Sequence, residues 1–141
     1  MRVRDSGFGL GGSLMLQKGD LVPHLEVETV HGQVFRYSTI WQQTNLVLVV
    51  LPRSESPSIA TYVSELTARL AEFSEQGTKC VITRERAAGI AAPGVLVADR
   101  WGEIGYVTTV ADVSDLPSAQ DLLDWVAYVQ NQCPECQGEA K

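Results

Sequence analysis

The sequence predicts one layered α/β domain that carries an additional β-hairpin near its N-terminus. Residues 46–51 form an unbroken apolar run, which is typical of a central strand covered on both faces. A segment with helical periodicity follows it directly. Nearer the N-terminus, two stretches that alternate between polar and apolar residues flank a turn that ends in glycine. With 141 residues, 45% of them hydrophobic, the chain is long enough to bury one sizeable core.

The first half predicts a hairpin, a strand and a long helix. Residues 26–30 and 33–37 alternate on both sides of a turn that ends in glycine, as hairpin strands do. After the apolar run, Ser56 is placed to cap a helix and Pro57 to occupy its first position. Gly77 is placed to end this helix, whose apolar stripe consists of Ile59, Val63, Leu66, Leu70 and Phe73.

The second half predicts a further strand, a second hairpin and a final helix. Residues 79–83 form a buried strand, parallel to the first if the helix crosses over right-handedly. A short link leads to the hairpin of residues 94–98 and 103–108. Ser118 with Asp121 predicts the capped start of the last helix. We expect the core to include Trp41 and one face of that helix, which carries Leu122, Trp125, Val126 and Val129.

Charge and cysteine content limit the function classes. A net charge of −6 argues against nucleic acids and anionic membranes as partners, and no apolar run approaches the ~20 residues of a membrane span. Three cysteines do not make a secreted disulfide framework, so we expect a cytoplasmic protein. We divide the chain into a flexible extension (1–15), a domain (16–131) and a C-terminal tail (132–141).

The segment 52–59 resembles the active-site loop of the peroxiredoxins. That loop reads proline, three residues, threonine or serine, two residues, cysteine, and Pro52 and Ser56 take the first two positions. Ile59 stands where the peroxidatic cysteine belongs, and Arg53 lies beside Pro52. The segment therefore resembles a peroxide-reducing loop that lacks its nucleophile.

Other motifs extend the resemblance to most of the chain, from about residue 19 to residue 130. Gly19 and Pro23 match the opening motif of the family, and Pro93 matches the proline that is cis in thioredoxin folds. Asp99 and Gly102 match the Asp-x-x-Gly turn of the alkyl hydroperoxide reductase and thiol-specific antioxidant (AhpC/TSA) proteins. The resemblance implies a three-layer α/β/α thioredoxin fold with an extra N-terminal β-hairpin.

The loop itself predicts no thiol chemistry. Peroxidatic chemistry needs a thiolate at a helix N-terminus, and an isoleucine side chain neither ionises nor attacks. We interpret Ile59 as the first core residue of the helical stripe. An arginine beside a helix start is also compatible with a small-anion site, although a solvated loop is the simpler interpretation.

Cys133 and Cys136 form the remaining chemical motif, a Cys-x-x-Cys pair. Beside a thioredoxin-like domain such a pair suggests dithiol–disulfide exchange. Two alternatives stay open: an inert tail, and a zinc site to which a second copy, His24 or His31 adds ligands, since one pair supplies only two of four. The remaining cysteine, Cys80, lies within a predicted strand and is expected to be an inert core thiol.

The sequence therefore predicts a peroxiredoxin-like thiol oxidoreductase or antioxidant protein that acts through Cys133 and Cys136. Its expected partners are a small thiol or peroxide substrate or a protein, including a second copy in a homodimer. No cofactor is expected. The rival hypothesis is a redox-inactive thioredoxin-fold module that binds a protein or itself.

Overall fold

A mixed four-stranded sheet forms the centre of the protein. The computed structural model describes residues 16–86 and 89–131. The strand order is β4 (Thr78–Thr83), β3 (Asn45–Val50), β5 (Gly94–Ala98) and β6 (Ile104–Thr109). β3 runs parallel to β4 and antiparallel to β5, which pairs antiparallel with β6. Every residue of β3 is buried, which confirms the predicted central strand.

One face of the sheet carries all the α-helices of the described residues. They are α1 (Pro57–Ala68), α2 (Leu70–Glu75) and α3 (Ala119–Gln130). Their buried side chains share one hydrophobic cluster with the alternate strand residues, including Val47 and Val49. Because strand side chains alternate, the neighbouring residues of β3 point to the other face. None of the helices described is long and apolar enough to cross a membrane.

The helix that follows β3 begins where the sequence predicts but is interrupted. Ser56 is the N-cap and Pro57 the first helical residue, and Gly77 ends the element with φ +65°. The expectation of one helix over 57–76 is wrong at Arg69, where φ −109° and ψ 9° separate α1 from α2. The Arg69 side chain bonds to Glu72 and, through Nη2, to the Gln120 side-chain oxygen at 2.7 Å, which ties the break to α3.

The N-terminal hairpin covers the opposite face of the sheet. β1 (Glu26–Glu28) and β2 (Val34–Arg36) pair antiparallel, which confirms the extra hairpin. A short 3-10 helix, Tyr37–Thr39, follows it, and its buried tyrosine joins the second hydrophobic cluster. The fold class predicted from the sequence, α/β with an added N-terminal hairpin, is confirmed.

The motifs at both ends of β5 adopt the expected backbone geometry. The Ala92–Pro93 peptide bond is cis, and Gly102 closes the turn after Asp99 with φ +89°. The prediction that Trp41 lies in the core is wrong, since its side chain is 40% exposed. The Trp41 indole instead packs edge-on against His24 and donates a hydrogen bond to the Trp101 carbonyl, at the end of the sheet.

α3 packs over β5 and β3 and meets the edge strand β6 locally, at Gly105 and Tyr106. Ser118 and Asp121 form the predicted capping box, each accepting a hydrogen bond from the backbone of the other. Gly105 lies at a β-bulge in β6, and a Cβ placed there would lie only 2.6 Å from Val129 Cγ2. The absence of a side chain at residue 105 therefore allows the close contact between helix and strand.

Candidate functional site

The loop that resembles the peroxiredoxin motif joins the C-terminal end of β3 to the N-terminus of α1. Pro52 and Ser56 are half-buried and Arg53 is exposed. The Ser56 hydroxyl oxygen accepts a hydrogen bond from the Ile59 backbone N–H at 3.2 Å. The structure thus brings all four predicted loop residues to one place, and serine supplies the cap that the helix start needs.

Ile59 belongs to the hydrophobic core. Its side chain is 2% exposed and shares a cluster with Val49, Leu51 and Leu66. Its N–H, one of the free donors at the helix start, is already satisfied by Ser56. Neither the side chain nor this N–H is therefore available to a substrate.

An ion pair fixes the loop to the end of β4. Arg84 Nη1 lies 2.8 Å from Glu55 Oε2, with the carboxylate largely exposed to solvent. The hydrogen bond and the charge of Arg84 lower the pKa of Glu55. An arginine from the neighbouring strand thus reaches the loop, but its charge is directed to a carboxylate of the protein itself.

The loop lines a cleft of about 460 Å³, which we call the loop cleft; it is formed by Glu28, Thr29, Val30, Arg53, Glu55, Arg84 and Glu85. Three carboxylates and two guanidinium groups line it. Glu85 Oε2 also accepts the Glu28 backbone N–H, and the Thr83 hydroxyl donates to the Glu28 carbonyl at 2.7 Å. Because carboxylates outnumber guanidiniums and the polar groups bond one another, a solvated loop fits the geometry better than an anion site.

Comparison with solved structures identifies the architecture. The chain resembles the reduced 2-Cys peroxiredoxin of Plasmodium vivax with a TM-score of 0.66 and 10% identity over 81% of this chain and 82% of the other. A peroxiredoxin-like protein from Aquifex aeolicus gives 0.57 and 16%, covering 82% and 88%. The fold is thioredoxin-like.

A further match supports the same fold. The thiol:disulfide interchange protein of Chlorobium tepidum, a thioredoxin family protein, gives a TM-score of 0.58 and 11% identity over 80% and 97% of the two chains. The sequence matches no protein-family model and no curated protein. At such identities the likeness shows the thioredoxin-like fold and leaves the chemistry to the residues of this chain.

The described part of the thioredoxin-like domain holds a single thiol, Cys80. It is half-buried on β4, and burial raises its pKa to about 12. A thiol with such a pKa is almost wholly protonated at neutral pH and is a poor nucleophile. Cys133 and Cys136 lie outside the described residues.

Within residues 16–86 and 89–131, no group of three His, Cys, Asp or Glu side chains is arranged to hold a metal ion. His24 packs against Tyr37 and Trp41. His31 Nε2 lies 3.4 Å from the Thr67 hydroxyl on α1. The described neighbours of the two histidines considered as additional zinc ligands are therefore aromatic rings and a hydroxyl group.

The sequence did not predict the larger cavity, a groove of about 730 Å³ between α3 and β6. We call it the α3–β6 groove, and its walls include Tyr106, Asp115, Asp121, Asp124, Trp125 and Tyr128. Four of these residues, 121, 124, 125 and 128, share one face of α3 by their helical spacing, which is a signal visible in the sequence. The other two residues come from β6 and from a short 3-10 helix, Val113–Asp115, before α3, so only the folded chain brings them together.

Proposed function

We propose that this chain is a thiol–disulfide protein whose redox pair is Cys133 and Cys136. The observation that carries the proposal is the state of the one described thiol, Cys80, whose raised pKa disfavours reaction. Ile59 occupies the loop position where the resemblance would place a cysteine. Of the three cysteines in the chain, two remain for thiol chemistry, and their Cys-x-x-Cys spacing suits disulfide formation.

The proposed reaction oxidises the pair and reduces a peroxide. One thiolate attacks a peroxide oxygen, the O–O bond breaks, and a sulfenic acid forms with release of water or an alcohol. The second thiol then displaces water from the sulfenic sulfur and closes the Cys133–Cys136 disulfide. A small dithiol or a protein dithiol reduces it by exchange.

The surroundings of the pair in sequence predict slow chemistry. Cys133 follows α3, which ends at Gln130, and Glu135 lies between the two cysteines. The negative end of a helix dipole and a nearby carboxylate both disfavour thiolate. We therefore expect a sensing or slowly exchanging dithiol rather than a fast peroxidase.

Intact mass after alkylation tests the proposal. The reduced protein and protein given brief, mild peroxide treatment are each unfolded, alkylated and weighed. The reduced chain should carry three tags, one per cysteine. The oxidised chain should carry one tag, on Cys80, and a dithiol reductant should restore the other two.

Two variants separate the redox pair from the core thiol. The C133S/C136S chain should carry one tag under both conditions, whereas Cys80→Ser should still lose two tags on oxidation. Three tags on the wild-type chain after peroxide treatment would contradict the redox proposal.

A redox-inactive binding module is the second candidate, and the loop favours it. Ser56 caps α1, Ile59 lies in the core and Arg84 is paired with Glu55. The loop residues therefore stabilise the fold. Under this proposal, partner binding and folding are unchanged in C133S/C136S. A related form is a homodimer in which two copies of Cys133 and Cys136 share zinc, and there a chelator would release monomers.

A further inference from the structure

We infer that the α3–β6 groove binds an extended, arginine-bearing segment of a partner protein. The groove differs from the loop cleft in its walls, its charge and its backbone. Its walls and its charge favour a cationic ligand, and its backbone favours an extended one.

Aromatic rings form one wall of the groove. The Tyr106 and Trp125 rings stack with centroids 4.2 Å apart and an interplanar angle of 18°. Tyr128 meets Trp125 edge-on at 5.5 Å and remains 47% exposed. Indole and phenol faces attract guanidinium groups, and a planar guanidinium can also stack on them.

Carboxylates form the charged part of the lining. Asp115, Asp121 and Asp124 line the groove, and no lysine, arginine or histidine does so among the residues that the structure describes. The partners of the two helical aspartates are neutral: Asp121 accepts the Ser118 N–H and Asp124 accepts the Gln120 side-chain amide at 3.0 Å. The negative charge of the groove is thus left for a cation from outside, unlike the charge of Glu55.

The backbone beside the groove favours an extended ligand. β6 is the last strand of the sheet order, and the segment at residues 19–21 pairs with its first residues only, through Ile104 and Glu103. Beyond Ile104, no described strand pairs with the outer side of β6. A free sheet edge accepts an added strand, whose alternate side chains then face the same side.

These features together specify the ligand. Arginines at alternate positions of an added strand lie roughly 7 Å apart, so they can meet the aromatic wall and the carboxylates in succession. The probe is therefore a blocked pentapeptide of alternating arginine and valine, with arginine at positions one, three and five. The same peptide with citrulline in place of arginine keeps the shape and hydrogen bonding but removes the charge.

The test is a titration of the full-length, reduced, ¹⁵N-labelled protein with each peptide, followed by NMR. We expect the arginine peptide to shift the Trp125 indole N–H signal and the β6 amides, while the Trp41 and Trp101 indole signals stay in place. D115N/D124N should weaken binding about tenfold. E65Q/E75Q removes the same charge from exposed positions on α1 and α2 and should change the affinity by less than about twofold.

Three results would overturn the inference. The first is equal binding of the citrulline peptide. The second is equal weakening by both double variants. The third is a dimer at NMR concentration that broadens the Trp125 signal without peptide, because the groove would then be a self-association surface. Each variant is first checked for wild-type dispersion of its amide signals, so that lost binding is not lost folding.

Discussion

The loop cleft and the α3–β6 groove both have charged walls, but their charged side chains are paired differently. In the loop cleft the charges pair within the protein, as Arg84 does with Glu55, and the helix start is capped by Ser56. In the groove three carboxylates lie beside aromatic rings, and none of the described lining residues is a cation. The difference shows that a segment can resemble a known active site while its charged groups are already paired, and that the groups free to bind a ligand can lie elsewhere.

The largest expected difference between the two regions is in stability. Ile59→Ala should lower the free energy of unfolding by about 3 kcal/mol, because it empties part of a tightly packed core. Tyr128→Ala, at a half-exposed groove position, should cost less than about 1 kcal/mol. Urea denaturation measures both changes in the free energy of unfolding. Similar losses for the two variants would contradict our view that the loop residues stabilise the fold while the groove residues bind a ligand.

Tyr62 connects the two regions, and its removal should show in the pH dependence of stability. Its hydroxyl donates to the Pro117 carbonyl at 2.6 Å, and burial raises its pKa above the ordinary value of 10.0. A group whose pKa is raised on folding contributes its full stabilisation below the ordinary pKa, and this contribution is lost as the pH rises through the raised value.

Tyr62→Phe should therefore lower the free energy of unfolding by about 1 kcal/mol at neutral pH, because the hydrogen bond is lost. Above about pH 10 the stability of the variant should fall less steeply than that of the wild type. The measurement is urea denaturation at neutral and at alkaline pH. Tyr128→Phe provides the matched exposed tyrosine. Parallel alkaline losses in wild type and Tyr62→Phe would show that this hydroxyl does not set the slope.

Each region also has its own helix cap. Ser56→Ala and Ser118→Ala should each cost about 1 kcal/mol, with the larger loss at Ser118, where the capping box contributes a reciprocal bond. Thermal unfolding of the two single variants measures the order. A larger loss at Ser56 would mean that the loop contributes more to stability than its single cap bond accounts for.

The smallest effect is expected at the Arg84–Glu55 ion pair. The pKa of Glu55 is lowered, so its contribution to stability is present above the ordinary value of 4.5 and disappears as pH falls through the lowered value. Glu55→Gln should leave neutral stability almost unchanged, because exposed ion pairs contribute little, and should flatten the acid-side decline. Glu75→Gln, which removes the same charge from an exposed position on α2, is the matched control, and urea denaturation across acid pH measures both variants.

The sequence predicted those features that depend on neighbouring residues. Ser56, Pro57 and Gly77 mark the bounds of the helical region, and the unbroken apolar run marks the buried strand, because caps and burial leave local patterns. The break at Arg69 was not predicted, since Leu66 and Phe73 keep one apolar stripe across it. At the break, Arg69 bonds to Gln120 of α3, a partner that is distant in the sequence.

Side chains that meet across the fold were predicted less well. Trp41 was predicted to lie in the core, but it is 40% exposed at the end of the sheet. The groove combines Tyr106 of β6 with Trp125 of α3 and Asp115 of the short 3-10 helix before α3. Such a combination depends on strand order and helix placement, which no local pattern specifies.

Gly105 makes the groove recognisable in other sequences. Because Val129 of α3 contacts β6 where residue 105 has no Cβ, the spacing of the helix and the strand that border the groove depends on a single missing methyl group. Related chains with a larger residue at this position must hold the last helix farther from the edge strand. Glycine there, together with an aromatic residue at the next position and the Asp-Trp pair of α3, therefore forms a four-residue signature by which chains with the same groove can be sought.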